Sequence, residues 1–434
     1  MPTTQAWYLV ALCTLAFFFS YIDRQIVSLL IEPIKADLKL SDTQFGLLQG
    51  LAFSMFYAVM GLPVAAASDR VSRPMIIALG LAVWSAATMA CGLARGFGQM
   101  LLARMMVGAG EASLSPATYS LISDLFPRRS IGRATAVFSM GSFLGAGFAY
   151  LVGGAMIAAL QRSGPIEIAG QVIAPWRVVM LIVGAPGLLL ALLILLTGRD
   201  PGRAKAAGAP VPSNGEVMGF LKTHAGIFVP HILGYSLYAM ALFAVLSWSP
   251  AYLGRIHGFT TAQTGLVLGP MALLASGGGA LVSGFLLDRA TRLGRPDGPF
   301  KVGAYGALGV IVAAIALVAS PNLNGALVAL ALAFFFTAFP MAPSAAVIQT
   351  LAPGAMRSRI SAIFLFFNSF IGLALGSALV GMLNDAVFGV AQGLRYSLPL
   401  VAGGAAACAF ILLWRGARPY ARAMAVNPAE DARP

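Results

Sequence analysis

The sequence has few charged residues, few cysteines and few histidines. Only 10% of its 434 residues are Asp, Glu, Lys or Arg, whereas 59% are hydrophobic. A typical soluble protein has about 25% charged residues, so this composition excludes that class and indicates an integral membrane protein. The three cysteines, Cys13, Cys91 and Cys408, all fall in apolar runs, so neither a disulfide framework nor a metal site is expected. No cofactor is predicted.

Twelve apolar runs are long enough to cross a membrane as helices. A hydrocarbon core about 30 Å thick needs about 20 apolar residues per helix, and a helix satisfies its own backbone in lipid. The runs begin near Trp7, Gln44, Met75, Gln99, Gly132, Trp176, Gly226, Ala262, Phe300, Gly325, Arg359 and Tyr396. The predicted fold is therefore an all-α integral membrane protein with twelve transmembrane helices in two halves of six.

The distribution of basic residues predicts the orientation of the chain in the membrane. With both termini placed in the cytoplasm, 19 of the 28 Lys and Arg residues fall in inside segments and 7 in outside segments. Because an excess of Lys and Arg marks cytoplasmic loops, both termini are predicted to be cytoplasmic. The basic residues never form a long run, so no nucleic-acid binding is expected. The Ala-, Gly- and Arg-rich composition predicts a multi-pass protein of a bacterial inner membrane.

The two parts of the chain weakly repeat each other. The segment SDRVSR (68–73) after the second run is echoed by LDRATR (287–292) after the eighth. Two helical halves that rock around a central cavity are the machinery of alternating-access transport. Between them lies a segment rich in Gly, Pro, Ala and basic residues, which predicts a flexible cytoplasmic linker. The predicted divisions are an N-terminal half at 1–197, the linker at 198–222, a C-terminal half at 223–417 and a tail at 418–434.

The loop after the second helix contains Gly61, then Asp69 and Arg70, then Arg73. With this signature the chain resembles the major facilitator superfamily over nearly its whole length. The family usually has Gly at the position of Ser72. The resemblance implies the major facilitator fold and a transport function.

The same loop predicts a conformational latch. An Asp at a helix end with arginines beside it can hold neighbouring helix ends together and release them. We expect Asp69, Arg70 and Arg73 to form this latch, with Asp288 and Arg289 as their counterparts in the second half. The alternative is that each Asp only neutralises its basic neighbours.

The fourth apolar run carries charge at a depth where charge is costly. Glu111 lies about 18 Å along its helix, close to the membrane midplane. Arg104, Gly108 and Glu111 follow one another at i, i+4 and i+7, so they share one face, and Gly108 is expected to leave open space between the charged groups. Ionisable residues in a membrane cost roughly 3 kcal/mol each and mark functional sites, although a static ion pair is the alternative.

The first helix supplies the expected partners. Asp23 and Arg24 lie at a depth similar to that of Arg104, which predicts an Asp23–Arg104 pair. Arg104 and Arg24 suit an anionic headgroup, although Arg24 equally fits a side chain that extends to the outer interface. A carboxyl in a low-dielectric cavity exchanges its proton as a nearby arginine moves. Glu111 is the first predicted proton carrier and Asp23 the second.

Two segments carry a more specific pattern, SYIDRQIVSLL in the first helix and GAGEASLSPATYSLISDLFP in the fourth. Within the superfamily, these segments resemble those of the Spinster transporters. The resemblance implies transport of lysolipids or sphingoid phosphates, coupled to protons in some members. It also implies that Asp23, Arg24, Arg104 and Glu111 lie in the binding and coupling region. The predicted function is proton-coupled transport of an amphiphilic anionic lipid by alternating access.

The remaining expectations concern the substrate and its alternatives. The aromatic runs FFFTAFP (334–340) and FLFFNSF (364–370) are candidates for an apolar trough, with Asn368 as a polar contact. The alternative substrate is a small organic anion such as a sugar acid, carried by a proton symporter. A membrane enzyme or a non-transporting sensor is a third class, but the sequence shows no further catalytic constellation. The expected partners are the lipid-like or small anionic substrate, protons and membrane lipids, and the predicted state is a monomer.

Overall fold

The computed structural model describes residues 4–68, 71–164, 166–168, 171–202 and 213–426. The first part contains α1 (Thr4–Leu29), α2 (Ile31–Leu38), α3 (Asp42–Leu47), α4 (Phe53–Ser68), α5 (Arg73–Leu93), α6 (Phe97–Glu111), α7 (Leu114–Leu125), α8 (Arg128–Arg162), β1 (Ile166–Ile168), β2 (Gln171–Ile173) and α9 (Pro175–Thr197). The second part contains α10 (Asn214–Thr223), α11 (Ala225–His257), α12 (Thr261–Pro270), α13 (Ser276–Arg292), α14 (Gly298–Ala319), α15 (Leu323–Thr337), α16 (Met341–Leu351), α17 (Arg357–Phe367), α18 (Gly376–Leu383) and α19 (Leu394–Val426). Four π-helical segments lie at Leu48–Ala52, Met271–Ala275, Asn368–Leu375 and Asn384–Phe388.

The helices fit the predicted membrane architecture. Ten helical stretches in the described part of the chain are long and apolar enough to span a membrane. Two more spans are irregular: one joins α3 and α4 through a π-helical segment, and the other is divided into α6 and α7. Each of the twelve predicted starts lies within about one helical turn of an observed helix start. The predicted all-α fold is confirmed, with one short antiparallel hairpin, β1–β2, added between α8 and α9.

Irregularities recur at equivalent spans of the two halves. The second span contains the π-helical segment Leu48–Ala52, and the eighth contains Met271–Ala275. The fourth span is broken between α6 and α7, and the tenth is broken between α15 and α16. π-Helical segments often mark functional positions in helices. The weak sequence repeat therefore has a structural counterpart in where the helices depart from regular geometry.

The predicted flexible linker contains a helix that the sequence did not reveal. α10 begins with a capping box in which Ser213 accepts from the backbone of Glu216 and Glu216 accepts from the backbone of Ser213. Such reciprocal bonds satisfy the free backbone N–H groups at a helix start. The Arg359 guanidinium also donates to Asn214 in the first turn of α10, at 3.1 Å. The end of the linker is therefore anchored to the second half of the chain.

The two halves are joined by hydrogen bonds around Asp42, and we call this end of the molecule the Asp42 end. The buried Asp42 carboxylate accepts from both terminal nitrogens of Arg255, at 2.6 and 2.8 Å, from Asn384 at 2.9 Å, and from Lys35. Asp385 in turn accepts from the backbone N–H groups of Asp42 and Thr43, at 3.2 and 2.7 Å. Between described residues, no ion pair joins the halves at the opposite end, which we call the Arg73 end.

Glycines allow the halves to approach closely near the Asp42 end. A Cβ on Gly46 would lie 2.7 Å from the Ser377 carbonyl oxygen, and one on Gly50 would lie 2.6 Å from that of Ala374. At a second interface between the halves, a Cβ on Gly265 would lie 2.3 Å from the Tyr150 carbonyl oxygen. Small residues at helix interfaces let backbones pack without intervening side chains. These contacts close the Asp42 end tightly.

Candidate functional site

Glu111 is the last residue of α6 and forms the centre of a buried polar cluster. Its Oε2 atom accepts from the Ser20 hydroxyl at 2.6 Å and from two nitrogens of Arg24, at 2.8 and 2.5 Å. Its Oε1 atom is buried and has no hydrogen-bond partner among the described residues. Native proteins pair nearly all buried polar atoms, so this unpaired oxygen is an exception that makes Glu111 a candidate functional residue.

Arg24 lies in a cage of aromatic rings. Its guanidinium carbon is 4.5 Å from the ring centre of Phe53 and 5.2 Å from those of Tyr21 and Tyr57. Only 13% of its side chain is exposed. The alternative in which Arg24 extends to the outer interface is therefore wrong for this conformation, because Glu111 and the three rings hold the guanidinium inside the protein.

The predicted Asp23–Arg104 pair is not formed. Asp23 is buried and accepts from the Thr88 hydroxyl at 3.0 Å, while its Oδ1 atom has no partner among the described residues. Arg104 is also buried, forms no ion pair with a described residue, and donates to the Leu48 carbonyl at 3.5 Å. Adjacent helical residues point about 100° apart, so when Arg24 faces α6, Asp23 turns towards α5.

Gly108 does not leave the open space that the sequence suggested. A Cβ at this position would lie 2.3 Å from the Phe53 carbonyl oxygen. Gly108 therefore brings α6 against α4 and places the Phe53 ring near both arginines, 5.5 Å from the guanidinium carbon of Arg104. The glycine serves close helix packing, and that packing builds one wall of the cluster.

A break in the fourth span ends α6 at Glu111. The backbone turns at Ala112 and Ser113, and the Ser113 hydroxyl donates to the Gly110 carbonyl at 2.8 Å. The break therefore places the Glu111 carboxylate at the C-terminal end of α6, where Ser20 and Arg24 of α1 donate to it.

The structure adds polar residues that sequence reasoning missed. Ser20 lies one turn before Arg24 on the same face of α1, and this i, i+4 spacing was the available signal. Gln49 donates to the Arg24 backbone carbonyl at 3.0 Å and to the Ser28 hydroxyl at 2.8 Å. Thr88 and Gln49 come from other helices, and no pattern in the sequence shows that they meet α1.

Asn368 lies apart from this cluster. It begins the π-helical segment Asn368–Leu375 in the second half, and its amide donates to the Tyr235 carbonyl at 3.4 Å. No described contact connects it with Arg24, Arg104 or Glu111. Its predicted role as a polar contact for the substrate stays a prediction.

The predicted latch is described only in part. Asp69 and Arg70 lie outside the described residues, and Asp288 and Arg289 are exposed and form no ion pair with a described residue. Arg73 is fully buried. Its guanidinium binds Asp200 with contacts of 2.6 and 3.2 Å and also forms an ion pair with Asp124.

These partners tie Arg73 to the first half and to the start of the predicted linker. Asp124 lies near the end of α7, and Asp200 follows α9 within the predicted linker, so the cluster connects α5, α7 and the linker at the Arg73 end. Burial opposes ionisation of Asp200, but its hydrogen bonds from Arg73 outweigh this and lower the pKa of Asp200 below its ordinary value. The observed cluster stabilises the contacts among these segments. The part of Arg73 in a latch between the halves stays a prediction.

Metal sites and large cavities do not coincide with the polar cluster. Among the described residues, no group of three or more His, Cys, Asp or Glu side chains could hold a metal ion. One cavity of about 380 Å³ is lined by apolar residues of α14 and α19, and another of about 450 Å³ lies beside Asp37 and Trp176.

Comparisons with known proteins give the family. The model of the Major Facilitator Superfamily matches residues 13–377. A protein of Mycolicibacterium smegmatis named MFS-type efflux pump is 31% identical over 96% of this chain and 94% of its own length. The hexuronate transporter of Bacillus subtilis is 28% identical over 96% of each chain.

A solved structure shows the same architecture. A bacterial homologue of the human lysosomal transporter Spinster, in an inward-facing and unoccupied conformation, matches with a TM-score of 0.84. The two are 27% identical, and the match covers 96% of this chain and 99% of that one. The predicted resemblance to the Spinster transporters is confirmed, and an enzyme function is excluded because these relatives are transporters. This multi-pass membrane protein belongs to the Major Facilitator Superfamily and transports by alternating access.

Proposed function

We propose that this chain couples proton movement to the transport of an amphiphilic anionic lipid, such as a lysolipid or a sphingoid phosphate. The observation that carries the proposal is the pair between Glu111 and Arg24, in which one carboxylate oxygen is left without a partner among the described residues. A planar guanidinium suits a phosphate as well as a carboxylate. Arg24 can therefore exchange one partner for the other.

The exchange of partners at Arg24 would couple substrate binding to proton uptake. When a phosphate binds Arg24, Glu111 loses the only ion-pair partner that it has among the described residues. A buried charge without a partner is costly, so we infer that Glu111 takes up a proton as the anion binds. Arg104, which is buried and forms no ion pair with a described residue, supplies a second positive charge for the headgroup. Asp23 is the second candidate for proton uptake.

The closed Asp42 end fits an inward-facing conformation. The distribution of Lys and Arg favours a cytoplasmic location for the termini and the Arg73 end, which would leave the Asp42 end on the outside. The similarity to an inward-facing Spinster homologue supports an inward-facing conformation. Binding from the cytoplasmic side would then precede opening of the Asp42 end.

Flux in proteoliposomes tests the proposal. Labelled lysophosphatidylglycerol is followed with and without a pH gradient for the parent, Glu111→Gln, Arg24→Gln and Arg104→Gln. The matched control is Glu216→Gln, an exposed carboxylate far along the chain whose capping box tolerates Gln. We expect gradient-driven flux in the parent and the control, a loss of at least about tenfold in Arg24→Gln, and no response to the gradient in Glu111→Gln. Equal gradient-driven flux in all five proteins would refute the mechanism.

A sugar acid is the second candidate substrate. It is favoured by the similarity to the hexuronate transporter of Bacillus subtilis, because a carboxylate can also occupy Arg24. The same proteoliposomes are therefore assayed with labelled glucuronate. Glucuronate flux that depends on Glu111, together with no lysolipid flux in the parent, would replace the lipid by the sugar acid and leave the coupling mechanism intact.

A further inference from the structure

The last helix is longer than a membrane span. α19 has 33 residues, which gives a length of about 50 Å at about 1.5 Å per residue, whereas the hydrocarbon core is about 30 Å thick. Its first turn lies at the Asp42 end, because the Ser397 hydroxyl donates to Asn384, which itself binds Asp42. The excess length of about 13 residues therefore extends beyond the core at the Arg73 end.

One exposed stripe of α19 changes character along its length. The stripe repeats every three or four residues and is apolar in its first part and basic in its last. Its members are Leu400, Gly404, Cys408, Ile411, Arg415, Arg418 and Arg422. The three arginines lie within an arc of about 60° and span about 10 Å along the helix. None of them forms an ion pair or hydrogen bond with a described residue.

Two aromatic rings lie where the stripe changes. Trp414 is 47% exposed and Tyr305, on the neighbouring α14, is 51% exposed, and their ring centres are 6.2 Å apart. Trp and Tyr are enriched at the level of lipid headgroups, where an apolar ring meets water. This pair, directly beside Arg415, therefore has the position expected at the boundary between acyl chains and headgroups.

We propose that Arg415, Arg418 and Arg422 form a binding site for the headgroup of an anionic membrane phospholipid. The lipid's acyl chains would lie along the apolar part of the stripe, and its phosphate would meet the three guanidinium groups beyond the aromatic pair. Clusters of Lys and Arg next to a transmembrane helix attract anionic lipids. This site lies on the lipid-facing surface of the second half, at the Arg73 end, and is separate from Glu111. It does not depend on which substrate is carried.

Native mass spectrometry of the full chain tests the site. The protein is titrated with dioleoylphosphatidylglycerol, which is anionic, and with dioleoylphosphatidylcholine, which is zwitterionic. Because each basic residue near a headgroup strengthens binding by about fivefold, we expect the parent to prefer the anionic lipid by at least about tenfold. The variant R415Q/R418Q/R422Q should bind both lipids within about twofold, and R415K/R418K/R422K should keep most of the preference.

A matched variant separates this site from general positive charge. R289Q/R292Q/R295Q removes the same charge from exposed positions near the same end of the molecule. We expect it to keep the preference for the anionic lipid. The proposal is overturned if this control loses the preference as fully as R415Q/R418Q/R422Q does, or if the parent shows no preference. Circular dichroism of each variant confirms that the helices remain folded.

Discussion

Glu111 and Arg24 are each other's only ion-pair partner among the described residues. Removing one member of a buried pair leaves an uncompensated charge, which costs about 3–5 kcal/mol. We therefore expect Arg24→Gln to lose roughly 3 kcal/mol of stability in a thermal unfolding experiment in detergent. Adding Glu111→Gln should restore more than half of this loss, because the second change removes the unpaired charge.

The comparison has an internal control. Arg289→Gln removes an exposed arginine that has no ion pair with a described residue, so its effect should stay within about 0.5 kcal/mol. If Arg24→Gln and the double variant unfolded at the same temperature, the interaction between Arg24 and Glu111 would not stabilise the fold. The pair would then contribute to transport alone.

The ion pair of Asp200 with Arg73 predicts how the stability of the protein depends on pH. Its pKa is lowered in the folded protein by hydrogen bonds from Arg73, in spite of burial. The stability that it contributes is therefore present above its unfolded pKa of about 3.9 and is lost as the pH falls through the lower folded value. We expect Asp200→Asn to melt below the parent at pH 7, and this difference to shrink below about pH 4. A difference that is constant from pH 7 to pH 3 would contradict the assignment.

At the scale of single elements, the close contact between α6 and α4 predicts how a substitution of Gly108 affects stability and substrate binding. A Cβ on Gly108 would lie 2.3 Å from the Phe53 carbonyl oxygen, and a backbone atom cannot move aside as a flexible side chain can. Gly108→Ala should therefore separate the helices, reduce stability by about 1–3 kcal/mol, and weaken substrate binding because Phe53 moves away from the arginines. Thermal unfolding and flux measure the two effects.

The same helix supplies the control. Gly98 lies near the start of α6, and a Cβ there would meet no atom within 4 Å. Gly98→Ala should be neutral or slightly stabilising, because alanine is favoured over glycine in helices. If both alanine variants behaved alike, close packing at Gly108 would not be what positions the cluster.

Hydrophobic patterns in the sequence predict where the membrane helices begin, but not where they are interrupted. The start of every membrane helix follows from runs of apolar residues, because burial in lipid is decided by hydrophobicity alone. The breaks within the second, fourth, eighth, tenth and eleventh spans have no counterpart in that pattern. The break after Glu111 lies within a single predicted run, so one continuous helix was predicted where α6 and α7 are found.

At the scale of the whole molecule, Asp42 holds the closed end. Its carboxylate is fully buried and accepts four hydrogen bonds, two from Arg255 and one each from Lys35 and Asn384. Asp42→Asn weakens the pairing with Arg255, so the Asp42 end should open in a larger fraction of molecules. Spin labels on cysteines at exposed positions 39 and 390, with Cys408 replaced by Ser, should report a longer distance between the halves.

Glu32 provides a graded comparison. It also binds Arg255, at 2.7 Å, but its side chain is 47% exposed. An exposed ion pair contributes about 0–1 kcal/mol, so Glu32→Gln should change the distance distribution little. A shift as large as that of Asp42→Asn would show that total charge, rather than the buried network, keeps this end closed.

The sequence by itself determined the membrane class and the twelve helices, and it singled out Asp23, Arg24, Arg104 and Glu111 as charged residues within membrane helices. These follow from composition and from the cost of placing charge in lipid, which are local properties of the chain. Only the tertiary structure decided that Glu111 binds Arg24 while Asp23 turns towards Thr88, and that Gly108 closes a gap rather than opening one. Those outcomes depend on which helices touch and how they are rotated, because a pair forms only where two side chains meet, and that contact is set by the packing of the whole bundle.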